Sequence, residues 1–382
     1  MNKKYIIALT SGLGNQMFQY ALFIYLKNIK KEHCIIYPFN KHLNEHNGYE
    51  IQDIFKNVMI KNESSLWIDV YIKLYTFINN LCCTLKRRLR SNIPMIGMNL
   101  LPYRVVIFPN WGNYVFIPKI NEILQNEIFK FSEFESDKNI KLEEFISSNN
   151  SVSIHIRRGD FISNPRWRCT LGDICDIDYY TKAINIISSK TSNPVFIVFS
   201  DDIVWASKNL NLYGATYVDW NKGKNSYNDL HLMSLCKHNI ISNSTFSLWA
   251  AWLNTNKNKL VVTPSKWRNK HNDNTKKLFI PADWIEVNNR KPNISLILNE
   301  NVMDDDLTNI LNQSYTDYEL ILTNNHSINI SDDRVILAAD TDHRITHGNF
   351  TFYINKKETN SFKNRKYLEK LLLNYFVTTK KD

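Results

Sequence analysis

The stretch from Ser151 to Pro264 does most to limit what this chain can fold into. Strand-length apolar runs alternate there with helix-length segments. Ser151 to Ile156 reads as a strand that runs into the charged turn Arg157-Arg158-Gly159-Asp160. A loop follows through Asp176, then a helix from Asp178 to about Ser188. Pro194 to Phe199 is a strand that ends in Asp201-Asp202, and Trp205 starts a helix. Ala215–Val218 is a strand, Asp229–Leu235 a helix, and Asn239–Ser242 a strand. The turn Asn243-Ser244-Thr245-Phe246 then enters a helix from Ser247 to Leu253, and Leu260–Val262 is the last strand, stopped by Pro264. Strands and helices alternating at these lengths predict an α/β fold, with a parallel sheet covered by helices on both faces. Ligands of such sheets bind outside the carboxyl ends of the strands. Three polar turns fall on that edge, at Arg157, at Asp201 and at Ser244.

Each turn has a plain structural reading. Arg157 to Asp160 can be a salt-bridged strand exit, and Asp201-Asp202 and Ser244-Thr245 can simply cap the helices they precede. Together they suit an anionic ligand. The guanidinium fork of Arg matches phosphate and stays charged. Hydroxyls and amides at a helix start add donors for the same oxygens, and a carboxylate can accept from a base or a sugar. Nucleotide-sugar transfer fits this set, because the charge of the leaving nucleoside diphosphate must be stabilised as the glycosidic bond breaks. A metal-dependent transferase would want Asp-x-Asp at a strand end. Asp201-Asp202 is not that pattern, and Asp304-Asp305-Asp306 lies far along the chain. Asp160 is placed to take the acceptor proton. A carboxylate beside two arginines is a weak base, however, so orienting Arg157 or the acceptor is an equal reading.

An earlier αβ pair opens the chain. The strand Tyr5–Leu9 enters Thr10-Ser11-Gly12-Leu13-Gly14-Asn15-Gln16, and a helix continues to about Ile29. Gly12 and Gly14 permit a close backbone approach, and the amides of Asn15 and Gln16 at a helix start suit a cleft. The third glycine of a dinucleotide fingerprint is missing, and a tight turn with a helix cap is the alternative. Trp67 to Arg90 reads as a helix with a basic end. It is either a core-facing helix with a solvated end or a membrane-surface helix. Pro118 opens a further helix toward Phe129. The style changes after Pro292: strand Ile294–Leu298, helix Met303–Gln313, strand Glu319–Leu322, a further strand at Val335–Leu337 and a helical stretch around Tyr367–Leu372. Three domains are expected, at residues 1–150, 151–290 and 291–382, the last an appendage.

The formal net charge of +10 favours an anionic partner. No zinc-finger spacing, RNA-binding motif or long basic run is present, so nucleic acid is not the expected partner. The Tyr5–Leu9 run is too short for a signal sequence, and no uncharged apolar run reaches the roughly eighteen residues of a spanning helix. Cys34, Cys82, Cys83, Cys169, Cys175 and Cys236 are scattered without metal-ligand pairing. The expected location is cytoplasmic, with peripheral contact at the inner face of the membrane as an option. Arg158-Gly159-Asp160 spells a cell-attachment tripeptide, but it closes a core strand, so a glycan-binding or adhesion module is the minor alternative.

Several segments carry a resemblance. Gly12 to Tyr20, His155 to Phe161, Phe199 to Asp202 and Asp229 to Trp252 resemble the signature segments of bacterial α-1,2-fucosyltransferases, glycosyltransferase family 11. Pro264–Trp267 and Pro281–Ile285 continue the likeness. It implies a GT-B-like fold of two Rossmann-type domains facing a cleft. It also implies GDP-fucose as donor, a galactose-terminated oligosaccharide or lipid-linked glycan as acceptor, inversion at the anomeric carbon, and no metal or other cofactor. Fucosyl transfer to a different linkage is the alternative. By this resemblance Arg157 binds the donor pyrophosphate, which Arg158 beside it can also help neutralise, and His155 and Asp160 shape the reacting centre. Asn243, Ser244 and Thr245, with Phe246 beside them, hold the diphosphate. Asp201 or Asp202 takes the guanosine, and Asn15 and Gln16 face the cleft from the first domain. Two departures stand out: Asn110-Trp111-Gly112-Asn113-Tyr114 where the family often has an aromatic pair, and Leu248-Trp249 where it usually has two tryptophans. Separately, Asn293 to Asn324 resembles the opening of a family 2 glycosyltransferase. Asn324-Asn325 stands where that family has an acidic pair, and Asp340-Thr341-Asp342 imitates a metal motif. The segment is therefore expected to be a non-catalytic remnant or a docking module.

Overall fold

A computed structural model describes residues 4–39, 47–60, 66–89, 102–106, 114–210, 212–270, 280–288, 292–298, 304–313, 315–322, 334–337, 348, 350–354, 356–364 and 366–378. Asn110 to Asn113, Asn324-Asn325 and Asp340 to Asp342 lie outside the described residues. The chain runs β1 (Lys4–Leu9), α1 (Leu13–Ile24, extended by a π-helical turn Tyr25–Ile29), β2 (His33–Pro38), α2 (Leu66–Leu89), β3 (Arg104–Val106) and α3 (Asp137–Ser148). It continues through β4 (Asn150–Ile156), α4 (Gly159–Ser163), α5 (Pro165–Leu171), α6 (Ile177–Lys190), β5 (Pro194–Ser200), α7 (Ile203–Leu210) and β6 (Thr216–Val218). Then come α8 (Tyr227–Leu235), β7 (His238–Ile240), α9 (Thr245–Leu253), β8 (Val261–Pro264) and β9 (Ile285–Val287). The last part holds β10 (Ile294–Leu298), α10 (Asp304–Leu311), β11 (Tyr318–Leu322), β12 (Val335–Leu337), β13 (Phe350–Ile354) and α11 (Tyr367–Thr378). The helix expected from Pro118 is instead a 3-10 turn (Tyr114–Lys119), a short α turn (Asn121–Ile123) and a π turn (Leu124–Ile128).

The described strands form three sheets: β2-β1-β3, β6-β5-β4-β7-β8-β9 and β12-β11-β10-β13. Every strand pair in them is parallel. The α/β class is therefore observed, and its strands are buried as parallel strands must be. In β4, Val152, Ile154 and Ile156 pack on Tyr179, Ala183 and Ile187 of α6. The alternate residues Ser151, Ser153 and His155 are buried too. They keep polar partners: Asn239 on β7 donates to Ser153 Oγ at 2.8 Å, and Tyr180 OH donates to the His155 carbonyl at 3.1 Å. Satisfied groups of this kind make a buried polar strip tolerable.

Contacts divide the chain into two units. The first comprises residues 1–149, 220–237 and 245–259. Its core joins Ile6 and Ala8 of β1 to Ile68, Ile72 and Tyr75 of α2. Trp249 on α9 lies 4.7 Å from the ring of Phe18 and donates from Nε1 to the Gly14 carbonyl at 2.9 Å. A Cβ on Gly14 would stand 2.6 Å from Thr245 Oγ1 and 2.9 Å from the Thr245 carbonyl carbon, so this glycine lets α1 and α9 meet. The second unit comprises residues 150–219, 238–244 and 260–382. The sequence expectation set boundaries at 150 and 290; the contact units share the first boundary and interleave after it. Helices α8 and α9 return to the first unit, and the C-terminal sheet clusters with the six-stranded one.

That last join is specific. Cys169 of α5 sits in the core of the C-terminal sheet with Ile294, Leu296, Leu368 and Phe376. Lys266, just past β8, makes an ion pair with Asp317 at 2.6 Å, with both side chains under one-tenth exposed. Asp317 also accepts from the backbone N–H of Asn293 at 3.1 Å. Arg168 places its guanidinium 4.4 Å from the ring centre of Phe376.

Candidate active site

The register of β4 on β5 builds the site. Ile156 pairs with Ser200, so the next residues, Arg157 and Asp201, leave the sheet side by side. Arg157 reaches Asp160 through Nη2 at 2.6 Å and Asp201 through Nη1 at 2.8 Å. The other Asp201 oxygen accepts from the Arg158 backbone N–H at 2.8 Å. Gly159 makes this closeness possible, since a Cβ there would stand 2.6 Å from Asp201 Oδ2. Arg158 donates from Nε to Asp202 at 3.1 Å and lays its guanidinium 3.9 Å from the Trp205 ring centre. Asp202 also caps α7, accepting from Trp205 N–H at 3.2 Å. Both arginine side chains remain about one-quarter exposed, at 24% and 23%. Among the described residues the Nη groups of Arg158 make no hydrogen bond.

The arginines open on a pocket of about 310 Å³, at the lower end of ligand-site volumes. Trp205 and Asn243 share its wall with Ile174 and Cys175 of the loop after α5. That loop is held from several sides. Asn243 donates from Nδ2 to the carbonyls of Leu171 (2.9 Å) and Trp267 (3.2 Å). Asn269 donates from Nδ2 to the Gly172 carbonyl at 2.9 Å. Asp173 sits in the left-handed region at φ +57° and takes Arg168 Nε at 2.8 Å. Asp176 caps α6 by accepting from Tyr179 N–H at 2.9 Å.

The structure therefore gathers Arg157, Arg158, Asp160, Asp201, Asp202 and Asn243 in the second unit. Asp201 and Asp202 hold arginines and a helix cap here. Asn243 is a loop clamp, and Ser244 is buried. His155 lies within the sheet beneath the rim, 6% exposed, with Nδ1 2.9 Å from Ser242 Oγ. Burial is the main cause that holds its pKa down to about 4, so the ring is neutral. Asn15, Gln16, Thr245 and Phe246 belong to the first unit. The expectation that Gln16 faces a cleft is corrected. Its side chain is fully buried, donates to the carbonyls of Ser11 (2.7 Å) and Gly48 (2.8 Å), and accepts from Glu50 and Ile51 N–H at 3.2 Å each. The amide pins the loop 48–51 to the first turn of α1.

The sequence expectation of a loop through Asp176 missed the helices α4 and α5 within it, and Trp205 was not expected as a pocket wall. Asn164-Pro165 was the available signal, an N-cap followed by a helix-starting proline. Asn164 does accept from Arg166 N–H at 3.0 Å. In the first unit, Asp229 stands out. Burial pushes its carboxyl up to about 7, opposed by the Asn221 amide that donates to it at 2.9 Å. His231 stacks between Phe131 and Phe134, with ring centres 4.3 Å away on each side, and burial lowers its pKa to about 4.

The sequence pattern of glycosyl transferase family 11 matches residues 103–288. The O-antigen biosynthesis glycosyltransferase WbnK of Escherichia coli is 30% identical over 312 residues, covering 73% of this chain and 99% of that protein. An alpha-1,2-colitosyltransferase of Escherichia coli is 29% identical over 291 residues, 74% of this chain and 98% of that one. The galactoside alpha-(1,2)-fucosyltransferase 2 of Rattus norvegicus shares 33% over 106 residues, 27% of this chain and 29% of that protein. A crystal structure of NodZ alpha-1,6-fucosyltransferase soaked with GDP-fucose aligns with a TM-score of 0.41 and 13% identity, over 66% of this chain and 93% of that one. The near-complete match to WbnK and the family pattern agree, and the chain belongs to glycosyl transferase family 11.

Proposed function

We propose that this chain is an inverting fucosyltransferase that moves L-fucose from GDP-fucose to the 2-hydroxyl of a terminal galactose, in a surface polysaccharide or its lipid-linked precursor. The observation that carries the reading is the pair of partly exposed guanidinium groups at the β4 exit, held by Asp160, Asp201 and Asp202 beside a pocket. Arg157, held between two carboxylates, is pre-set to meet the diphosphate. Arg158 keeps its Nη groups for the same oxygens, and Trp205 offers a flat apolar wall.

In the reaction the galactose hydroxyl attacks the anomeric carbon from the face opposite the diphosphate. The bond from that carbon to the β-phosphate oxygen breaks, and the electron pair leaves with GDP. Positive charge fixed at that oxygen lowers the barrier. The guanidinium groups supply this charge, and the proposed step uses no metal. Asp160 lies 2.6 Å from Arg157, which favours the orienting role. The hydroxyl proton then passes to another base or to water.

The test is an assay with GDP-fucose and a galactose-terminated acceptor, followed by NMR of the product. Release of GDP that depends on the acceptor, survives EDTA and yields a 1→2 linkage supports the proposal. A different linkage, or loss of activity in EDTA with recovery on Mn²⁺, overturns the corresponding part. The colitosyltransferase matches this chain as fully as WbnK does. Activated colitose is therefore the second donor to run, and a clear preference for it would reassign the sugar.

A further inference from the structure

Helix α2 is apolar on two opposite faces. Ile68, Ile72 and Tyr75 pack into the first unit's core, at 0%, 0% and 8% exposure. That fixes the helix in place and turns its other side outward. There Leu66 is 80% exposed, Val70 55%, Leu74 49% and Phe77 66%, with Trp67 at the edge at 47%. At 3.6 residues per turn these positions form one stripe. Scattered exposed apolar residues need no explanation, but a stripe of five on one helix face marks an interaction surface.

The chemistry of the partner is written at the far end of the same helix. The sequence closes it with Lys86-Arg87-Arg88-Leu89 and continues with Arg90. The chain carries a formal net charge of +10. Two copies joined through this stripe would bring two such charges together, which self-repulsion opposes. An anionic phospholipid surface answers both features, with acyl chains for the stripe and phosphates for the basic end. Among the described residues no helix is long and apolar enough to cross a membrane, so this geometry suits a helix lying along the interface.

We propose that α2 seats the protein on an anionic lipid bilayer, with Leu66, Val70, Leu74 and Phe77 entering the boundary between headgroups and acyl chains. Each basic residue near such a surface adds attraction that salt weakens. The proposal does not depend on which sugar is transferred.

The experiment is co-sedimentation of the full chain with vesicles of phosphatidylglycerol and phosphatidylcholine, and with phosphatidylcholine alone. Wild type should pellet with the anionic vesicles and release in high salt. Leu74→Glu with Phe77→Glu should weaken binding by about tenfold or more, while circular dichroism and transfer to a soluble acceptor stay at wild-type levels. Lys86→Gln, Arg87→Gln and Arg88→Gln together should weaken it without touching the stripe. Equal binding by the stripe variant, or equal binding of wild type to neutral vesicles, would overturn the proposal. So would a dimer, seen by sedimentation velocity without lipid, that the stripe variant splits.

Discussion

The six-stranded and the C-terminal four-stranded sheets share a unit and a parallel topology, yet their polar residues are used in opposite ways. At the exit of β4 the charges face a pocket: Arg157 and Arg158 are about one-quarter exposed and shared among three carboxylates. In the C-terminal sheet they turn inward. Glu319 is 5% exposed and accepts from Ser295 Oγ, and Asp317 is spent on Lys266 across the seam between the sheets. Similar architecture thus yields a partly exposed charged rim in one sheet and a buried fastening in the other, and function must be read from the rim rather than the topology. The fastening reaches the rim's neighbourhood, since α5 joins the C-terminal core through Cys169, and Leu171 at its end takes a hydrogen bond from Asn243.

The largest effect should come from breaking the fastening. Lys266→Met leaves Asp317 buried without its cation and should lower stability by about 3–5 kcal/mol, read by urea unfolding. Lys266→Met with Asp317→Leu should recover much of that loss; equal loss in single and double variants would mean that the pair itself is not the cause. Next is Asp201→Asn at the rim. It loosens Arg157 and the Arg158 backbone together and should reduce kcat/KM by roughly 10²-fold, with the unfolding midpoint little changed. A large stability loss without a kinetic one would make Asp201 a structural residue like Asp317. Gly159→Ala should cost less. The new methyl must displace the Asp201 carboxylate, and a fall in activity of about tenfold is expected.

The smallest effects are those of pH, and the two units differ in sign. His155 in the second unit has a folded pKa of about 4 against 6.5 unfolded. The unfolded chain therefore binds the proton first, and its contribution to stability is lost as pH falls from 6.5 toward 4. Asp229 in the first unit is reversed, with a folded value of about 7 against 3.8. It contributes a loss of stability as pH rises from 3.8 toward 7. Asp229→Asn should therefore raise Tm at pH 8 and change it little at pH 4, measured by calorimetry.

Much of this was legible in the chain. Strands β1, β5, β10 and β11 are mostly apolar runs with clear stops, β4 alternates apolar residues with Ser151, Ser153 and His155, and parallel pairing of β4 with β5 places Arg157 beside Asp201. Strand β9 is three residues long at a sheet edge and carries no periodicity. Strand β13, Phe350–Ile354, sits in a polar neighbourhood and was not expected. Helix α5 buries only Cys169 among its own residues, so no amphipathic pattern marks it. The return of α8 and α9 to the first unit was invisible because it rests on partners such as Trp249 and Gly14, 235 residues apart. Gln16 misled for a similar reason: an amide at a helix start looks like a ligand group until its backbone partners, 32 to 35 residues downstream, are known. Helix α2 was read as either core-facing or lipid-facing, and the structure gives it a buried apolar face and an exposed one.

The central claim is that the donor diphosphate is held at the rim of the six-stranded sheet by Arg157. Calorimetric titration of GDP into the wild-type chain and Arg157→Ala tests it directly. A hydrogen bond to a charged group contributes about 1.5–3 kcal/mol, so the variant should bind GDP at least about tenfold more weakly while its unfolding curve stays in place. Equal affinity for GDP in the two proteins would contradict the account.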